Sequence, residues 1–377
     1  MTWDDALLDV KRQRMDPEAD EAVRHVIEAG EVESVDALLA GLVRDDQLVP
    51  ERFPPTVRDY LLRTAALPEW ADPDLIEQGE AFFGEHGVSV ILSLFCAALP
   101  ASYAAADGVR VLYLTGRLRT SPYRRIVETA QLIVDVMAEG GLSPQGDGVR
   151  DAQKVRLMHA GVRRWLLTSP GVWDAAWGAP LNQEDLAGTL MAFTVGVLQG
   201  VERLGVTVLP WQEEAYLHAW KVVGALMGLD ADLLPADVAA ARELTALIER
   251  RNFRPSPEGQ ELTRALVALL EESAPGTVFR GFPPTLIRHL IGDDVGNMLG
   301  LAPEDWTAKL LGPLGRLFGD LDATLERSAQ LSQVAAVFGQ HLIDSVVWIE
   351  RGGARAPFHI PTGLLDRWAP PGAAPGA

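Results

Sequence analysis

The chain has 377 residues, 48% of them hydrophobic, and a formal charge of −19 at pH 7. That length allows one large domain or two ordinary ones, and the apolar content suffices for a substantial core. The acidic balance repels phosphate, which excludes nucleic acid and acidic lipid surfaces as expected partners, and the single cysteine, Cys96, excludes both an intrachain disulfide and a cysteine-rich zinc or iron–sulfur site.

Helical periodicity dominates the chain, and period-two alternation of Val, Ile and Thr is rare. The opening Met-Thr-Trp-Asp-Asp lacks the basic and apolar regions of a signal peptide, so the expected location is cytoplasmic. Up to about residue 75 the pattern predicts short helices broken by prolines, among them Asp36 to Val43 and Thr56 to Leu67, the latter opened by Pro54-Pro55. Asp74 to Glu85 reads as a helix ended by Gly84 and Gly87. The apolar run Val88 to Ala101, interrupted by Ser89, Ser93 and Pro100, is shorter than the roughly 20 residues of a bilayer span and reads as a buried core helix.

After the turn at Asp107-Gly108, Val109 to Leu114 is expected as a short strand or extended segment. Long helices follow: Pro122 to about Glu139, stopped by Gly140-Gly141; Asp151 to Leu167; Asn182 to Arg203, with Asn182 as N-cap and Asp185 completing a loose capping box; and Trp211 to Met227, closed by Gly228. The pattern resumes at Pro235 to Arg250, Pro257 to Glu272, Pro283 to Ile291, Trp306 to Phe318 and Asp322 to Val347. Pro370 to Ala377 reads as a disordered tail. The expected fold is therefore all-α: one large helical domain over residues 76–305, a helical extension over 1–75, and C-terminal helices over 306–369 packed on the core.

A phosphate loop, an H-E-x-x-H pair and a G-x-S-x-G elbow are all missing, which removes the common kinase, zinc-hydrolase and α/β-hydrolase readings. Gly146-Asp147-Gly148 lacks the third glycine and the preceding strand of a dinucleotide fingerprint.

His159 is the informative histidine. Val155, Met158, Val162 and Leu166 form an apolar stripe at helical spacing, and His159 sits at its edge. Ala160 and Gly161 are small enough to admit a bulky neighbour, and Arg156 and Arg163 lie three and four residues away. That combination suits a haem, with imidazole as axial ligand, an apolar cover and guanidiniums for the propionates. A hydrogen-bonded core histidine is the competing reading. On the preceding helix Arg125 and Thr129 are i, i+4 neighbours able to anchor a propionate; the alternative is a surface ion pair of Arg124 or Arg125 with Glu128. His218, among Tyr216, Leu217 and Trp220, reads either as pocket lining or as core packing.

The segment Arg125 to Thr129, the run Arg156-Leu157-Met158-His159-Ala160-Gly161-Val162-Arg163, Pro180 to Leu186, Gly200 to Gly205, Tyr216 to Trp220 and Leu286 to Leu301 follow one another in a way that resembles the latex-clearing protein (rubber oxygenase) and mpaB-type oxygenase family, over roughly residues 78–305. The resemblance implies an all-α fold around a buried, non-covalent haem b, with His159 as proximal iron ligand and Arg125 and Thr129 beside the haem. It also implies dioxygen or peroxide as oxidant. Two departures bear on mechanism. Glu128 stands where latex-clearing proteins can carry a distal lysine, and the stretch Ala104 to Tyr113 holds no glutamate, only Asp107, where those proteins place a proposed base. The expected reading is a haem-dependent oxygenase of a small, apolar intracellular substrate, with Glu128 and Arg125 in the catalytic site and His159, Arg125, Thr129, Arg156 and Arg163 around the cofactor. A haem-binding sensor or carrier without turnover, or a cofactor-free helical interaction protein, are the alternatives.

Overall fold

The computed structural model describes residues 3–116, 122–273, 281–303 and 338–339, with the backbone path alone for 122–128 and 273. The expected helices Trp306 to Phe318 and Asp322 to Val347 and the tail lie outside these residues, apart from the helical pair 338–339. Among the described residues there is no strand; the sole β feature is an isolated bridge between Ala105 and Phe253.

Four helices form an N-terminal layer: α1 (Asp5–Arg12), α2 (Pro17–Ala29), α3 (Val32–Gly41) and α4 (Pro55–Arg63). Asp4 and Asp16 cap α1 and α2 by accepting from backbone N–H groups of the first turn. The layer has its own apolar cluster, Val23, Val26, Leu39, Val57, Tyr60 and Leu61, closed from the other side by Leu157 and Ala160 of a later helix. It is therefore packed on the core as a wall.

The core begins with α5 (Pro73–Glu85) and α6 (Gly87–Tyr103), which meet at a bend of 87°. The apolar run expected as a core helix is α6, with Leu92, Leu94, Cys96 and Ala98 buried and a π-turn over Leu94–Ala98. No single described helix is long and apolar enough to cross a membrane; the bent pair passes such a test only when the two are taken together.

Val109–Leu114 is helical, α7, where a strand or extended segment was expected. The physical reason is that, among the described residues, no neighbouring strand pairs with it, while a helix satisfies its own backbone. Helical register also directs Val111 and Leu114 towards Val162, and sends Arg110 and Tyr113 to Glu258 and Glu261.

Next come α8 (Pro122–Met137), α9 (Gly148–Thr168), α10 (183–203), α11 (Pro210–Leu226), α12 (Val238–Asn252), α13 (Pro257–Ser273), α14 (Phe282–Ile291) and α15 (Asp293–Met298). Asn182 caps α10 as expected, accepting from Asp185 N–H at 2.9 Å and donating to Asp185 Oδ2 at 2.9 Å. A second π-turn, Ala192–Gly196, interrupts α10 and packs against the one in α6. Helices α6, α10 and α11 form the centre, with Val197, Leu198, Tyr216, Leu217, Val222 and Leu92 almost fully buried. Gly79 of α5 lets α11 approach closely: a Cβ there would lie 2.7 Å from Ala215 O and 2.9 Å from Ala219 Cβ.

Candidate functional site

Helix α9 carries His159, and its placement is over-determined. The turn before it coils tightly: Gly148 N–H donates to Gly141 O at 3.0 Å, and a Cβ on Gly146 would lie 2.2 Å from that same oxygen. The glycines read as a truncated fingerprint serve this coil. The first turn of α9 is capped across the chain by Asp45, whose carboxylate accepts from Val149 N–H (3.2 Å) and Arg150 N–H (2.9 Å). Burial pushes that carboxyl up to about 6, against the pull of the two N–H donors.

One turn on, Gln153 is fully buried and saturated. It donates to Leu61 O (2.8 Å) and Thr64 Oγ1 (2.7 Å), accepts from Arg150 Nη1 (2.8 Å), and its carbonyl takes the Tyr60 hydroxyl (3.0 Å).

The stripe around His159 behaves as expected of an apolar edge. Val162 and Leu166 are buried, while Val155, Met158 and His159 are half-buried. Val162 and Leu166 join Val111, with Leu114, Trp165, Trp173 and Leu181 packed about them. Ala160, expected to make room for a bulky neighbour, packs into the N-terminal cluster beside Leu157.

Arg156 and Arg163 are placed differently from the expectation that they meet propionates. Arg156 is clamped by Asp16 in a bidentate pair, Nε to Oδ2 at 2.6 Å and Nη2 to Oδ1 at 2.8 Å, with Glu18 at 3.2 Å. Arg163, 2% exposed, donates from Nε to Asp20 Oδ1 at 2.7 Å and from Nη1 to Leu181 O at 3.5 Å. Both guanidiniums are engaged by the N-terminal layer, because α2 packs on the face of α9 that lies next to His159.

Helix α8 packs beside α9 and brings half-buried Thr129 onto the neighbouring element. The side chains of Arg125 and Glu128 lie outside the described residues.

Judged against a haem, the described donors fit in part. Among the described residues no cluster of three or more His, Cys, Asp or Glu could hold a bare metal ion. A haem would need one imidazole and an apolar wall, residue types that His159, Val155, Met158 and Val162 bring to this edge of α9. Arg156 is committed to Asp16 and Glu18, and Arg163 to Asp20 and the Leu181 carbonyl, with Arg163 Nη2 left as a buried donor outside these bonds.

A second polar centre has no signature in residue spacing. Glu184 is fully buried and accepts from Arg251 Nε (2.8 Å) and Asn252 Nδ2 (2.8 Å), with Arg12 Nη1 at 3.4 Å. Its neighbour Asp185 is pushed up to about 7 by burial. Asp107, the one acidic residue in the stretch where a base was sought, is held by Arg254 (2.6 Å) and Arg12 (3.3 Å). It is thereby part of this network. His218 accepts from Asp72 N–H at 2.9 Å and meets Trp70 edge-on, with burial lowering its pKa, so it acts as a neutral packing residue. His25 bonds Glu21 O, and His341 and His359 lie outside the described residues.

An all-α core with a histidine on an apolar helix edge, walled by an N-terminal helical layer, defines a large helical domain. The chain belongs to the ER-bound oxygenase mpaB/B'/rubber oxygenase family, whose catalytic-domain model matches residues 79–319. It is 30% identical over 300 residues to rubber oxygenase of Streptomyces sp. (strain K30), covering 78% of this chain and 73% of that relative. It also superposes on the solved structure of latex clearing protein LCP in the closed state, with a TM-score of 0.74 at 26% identity, covering 93% of this chain and 95% of that one.

Proposed function

We propose that this chain is a haem-dependent oxygenase acting on a small, apolar, intracellular substrate with dioxygen or peroxide, and that His159 is the axial ligand of a haem b. The observation that carries the reading is the half-buried imidazole on the apolar edge of α9, in a chain of an oxygenase family. Bound there, the haem supplies the redox chemistry on oxygen.

The residues do the rest. Val155, Met158 and Val162 cover one side and keep water away from the ligand nitrogen, which also excludes polar substrates. Thr129 on α8, the helix packed beside α9, and Arg125 one turn before it take the propionate role, since Arg156 is forked to Asp16 and Arg163 is bonded to Asp20. Glu128, in place of the lysine of latex-clearing proteins, would serve as the proton-carrying carboxyl of the site when a haem is bound. That replacement, with Asp107 tied up by two guanidiniums, argues against cleavage of polyisoprene by the lysine-and-glutamate route. The location consistent with such a substrate is the cytoplasm.

The test is the visible spectrum of the purified, haem-supplied chain beside His159→Ala. A Soret band lost or shifted in the variant establishes ligation, and substrate-dependent oxygen uptake then separates an oxygenase from a carrier. A wild type that stays colourless after haem titration removes the reading.

A further inference from the structure

The N-terminal layer precedes the matched catalytic domain, yet it holds the helix that bears His159. The two guanidiniums flanking His159, one turn before and one turn after it, are both held at the start of α2, Arg156 by Asp16 and Arg163 by Asp20. Asp16 is 3% exposed, caps α2, binds Arg156 in the fork described above, and lies 3.9 Å from Arg163 Nη2. Gly228, with φ +83°, closes the other side of the Arg156 guanidinium: a Cβ there would lie 2.5 Å from Nε and 2.8 Å from Cζ. Arg163 in turn reaches the carbonyl of Leu181, a non-glycine residue at φ +51° that leads into α10.

A helix gripped at i−3 and i+4 around a given residue cannot roll about its axis without breaking charge-assisted hydrogen bonds on both sides. A fork is directional as well as strong, so the grip fixes the angle of α9 as well as its depth.

We propose that Asp16 is the positioning residue for His159: through its fork with Arg156, and with Asp20 one turn on holding Arg163, it sets the rotation of α9 and hence the direction of the imidazole. The consequence for iron rests on the proposed haem reading, but the grip itself does not. It makes residues 3–64 part of the active-site framework.

The experiment uses the full chain with 15N-labelled histidine, in haem-free and haem-loaded forms, as wild type, Asp16→Asn and Arg156→Lys. Asp16→Asn keeps size and one acceptor but removes the charge; Arg156→Lys keeps the charge but removes the fork. In the haem-free chain the ring resonances of His159, assigned with His159→Gln, shift in both variants, while those of His218 and His289 stay in place. In the loaded chain, haem dissociates roughly tenfold or more faster and the ferrous iron–histidine stretch moves, at unchanged helical content. Should Asp16→Asn fail to fold, Glu18→Gln, which loosens only the 3.2 Å contact to Arg156, gives a smaller shift in the same direction. Unmoved His159 resonances in the haem-free variants overturn the positioning role whatever the haem result. A wild type that binds no haem but whose His159 resonances respond overturns the haem reading and leaves the grip standing.

Discussion

Glu184 tests how the N-terminal layer is fastened to the core. Its carboxylate is fully buried between Arg251 of α12 and Arg12 of α1, whose side chains are 15% and 13% exposed. Glu184→Ala removes the acceptor while both cations stay in a desolvated place. Stripping one partner from a buried pair costs about 3–5 kcal/mol. Here the lower end applies, about 3 kcal/mol, because Arg251 keeps Asp5 (2.8 Å) and Asp9 (2.7 Å), and Arg12 keeps Asp107 (3.3 Å) and Asp185 (3.5 Å). Glu184→Gln retains shape and one acceptor and loses only the charge, so it costs about 1.5–2 kcal/mol, the range of a hydrogen bond to a charged group. Urea unfolding of the haem-free protein reads both as a fall in midpoint at constant slope. The reasoning is refuted if the alanine variant costs no more than the glutamine variant, or less than about 1 kcal/mol, since the buried charge would then have been solvated all along. A double-mutant cycle with Arg12→Ala apportions the coupling: a cycle energy near zero would assign the loss to packing.

Gly79→Ala pushes a methyl group into Ala215 O and Ala219 Cβ, neither of which can rotate away, so the α5–α11 contact opens. The cost of overpacking, about 1–3 kcal/mol, outweighs the gain in helix propensity of about 1 kcal/mol, and a Tm at or above wild type would contradict the close approach. For Asp45 the sign follows from its carboxyl lying near 6 when folded against 3.8 in the open chain. Between those values the folded state holds a proton that the unfolded state has released, so this group's contribution to stability falls as pH rises from about 4 to about 6 and is level above. Asp45→Asn has no such slope, and its stability relative to wild type improves over that interval; a constant difference would show the carboxyl to titrate normally.

How much of this could be read in the sequence depended on the range of the interaction concerned. Asn182 three residues before Asp185, Pro55 at a helix start and Gly228 at a helix end are local devices, and the structure uses each as its spacing dictates. The helices of the core follow from apolar periodicity, and the family from the order of short segments. Val109–Leu114 was misassigned because a six-residue run of branched and aromatic side chains carries no decisive period; its helix is chosen by α9 and α13, which are 50 and 150 residues away. The buried network around Glu184 was invisible for a related reason. Gln183-Glu184-Asp185 in a first helical turn reads as dipole-favoured surface charge, and only the arrival of Arg12 and Arg251 makes it interior.

Arg156 and Arg163 show the limit most sharply. A guanidinium one turn from a histidine is the pattern required by a propionate anchor and equally by a scaffold clamp, because both need a planar donor beside the ligand helix. Sequence spacing fixes which side of α9 the arginines occupy. It does not fix what α9 faces there. The partner is decided 140 residues earlier, where Asp16 at the N-cap of α2 and Asp20 one turn on each accept from one of the two arginines across a packed pair of helices. With that side of α9 given to the N-terminal layer, a cofactor bound by His159 must approach from the side of Val155, Met158 and Val162, next to α7 and α8. On the proposed haem reading, the packing that engages Arg156 and Arg163 therefore narrows where a cofactor would sit, with Thr129 and Arg125 on the neighbouring helix α8.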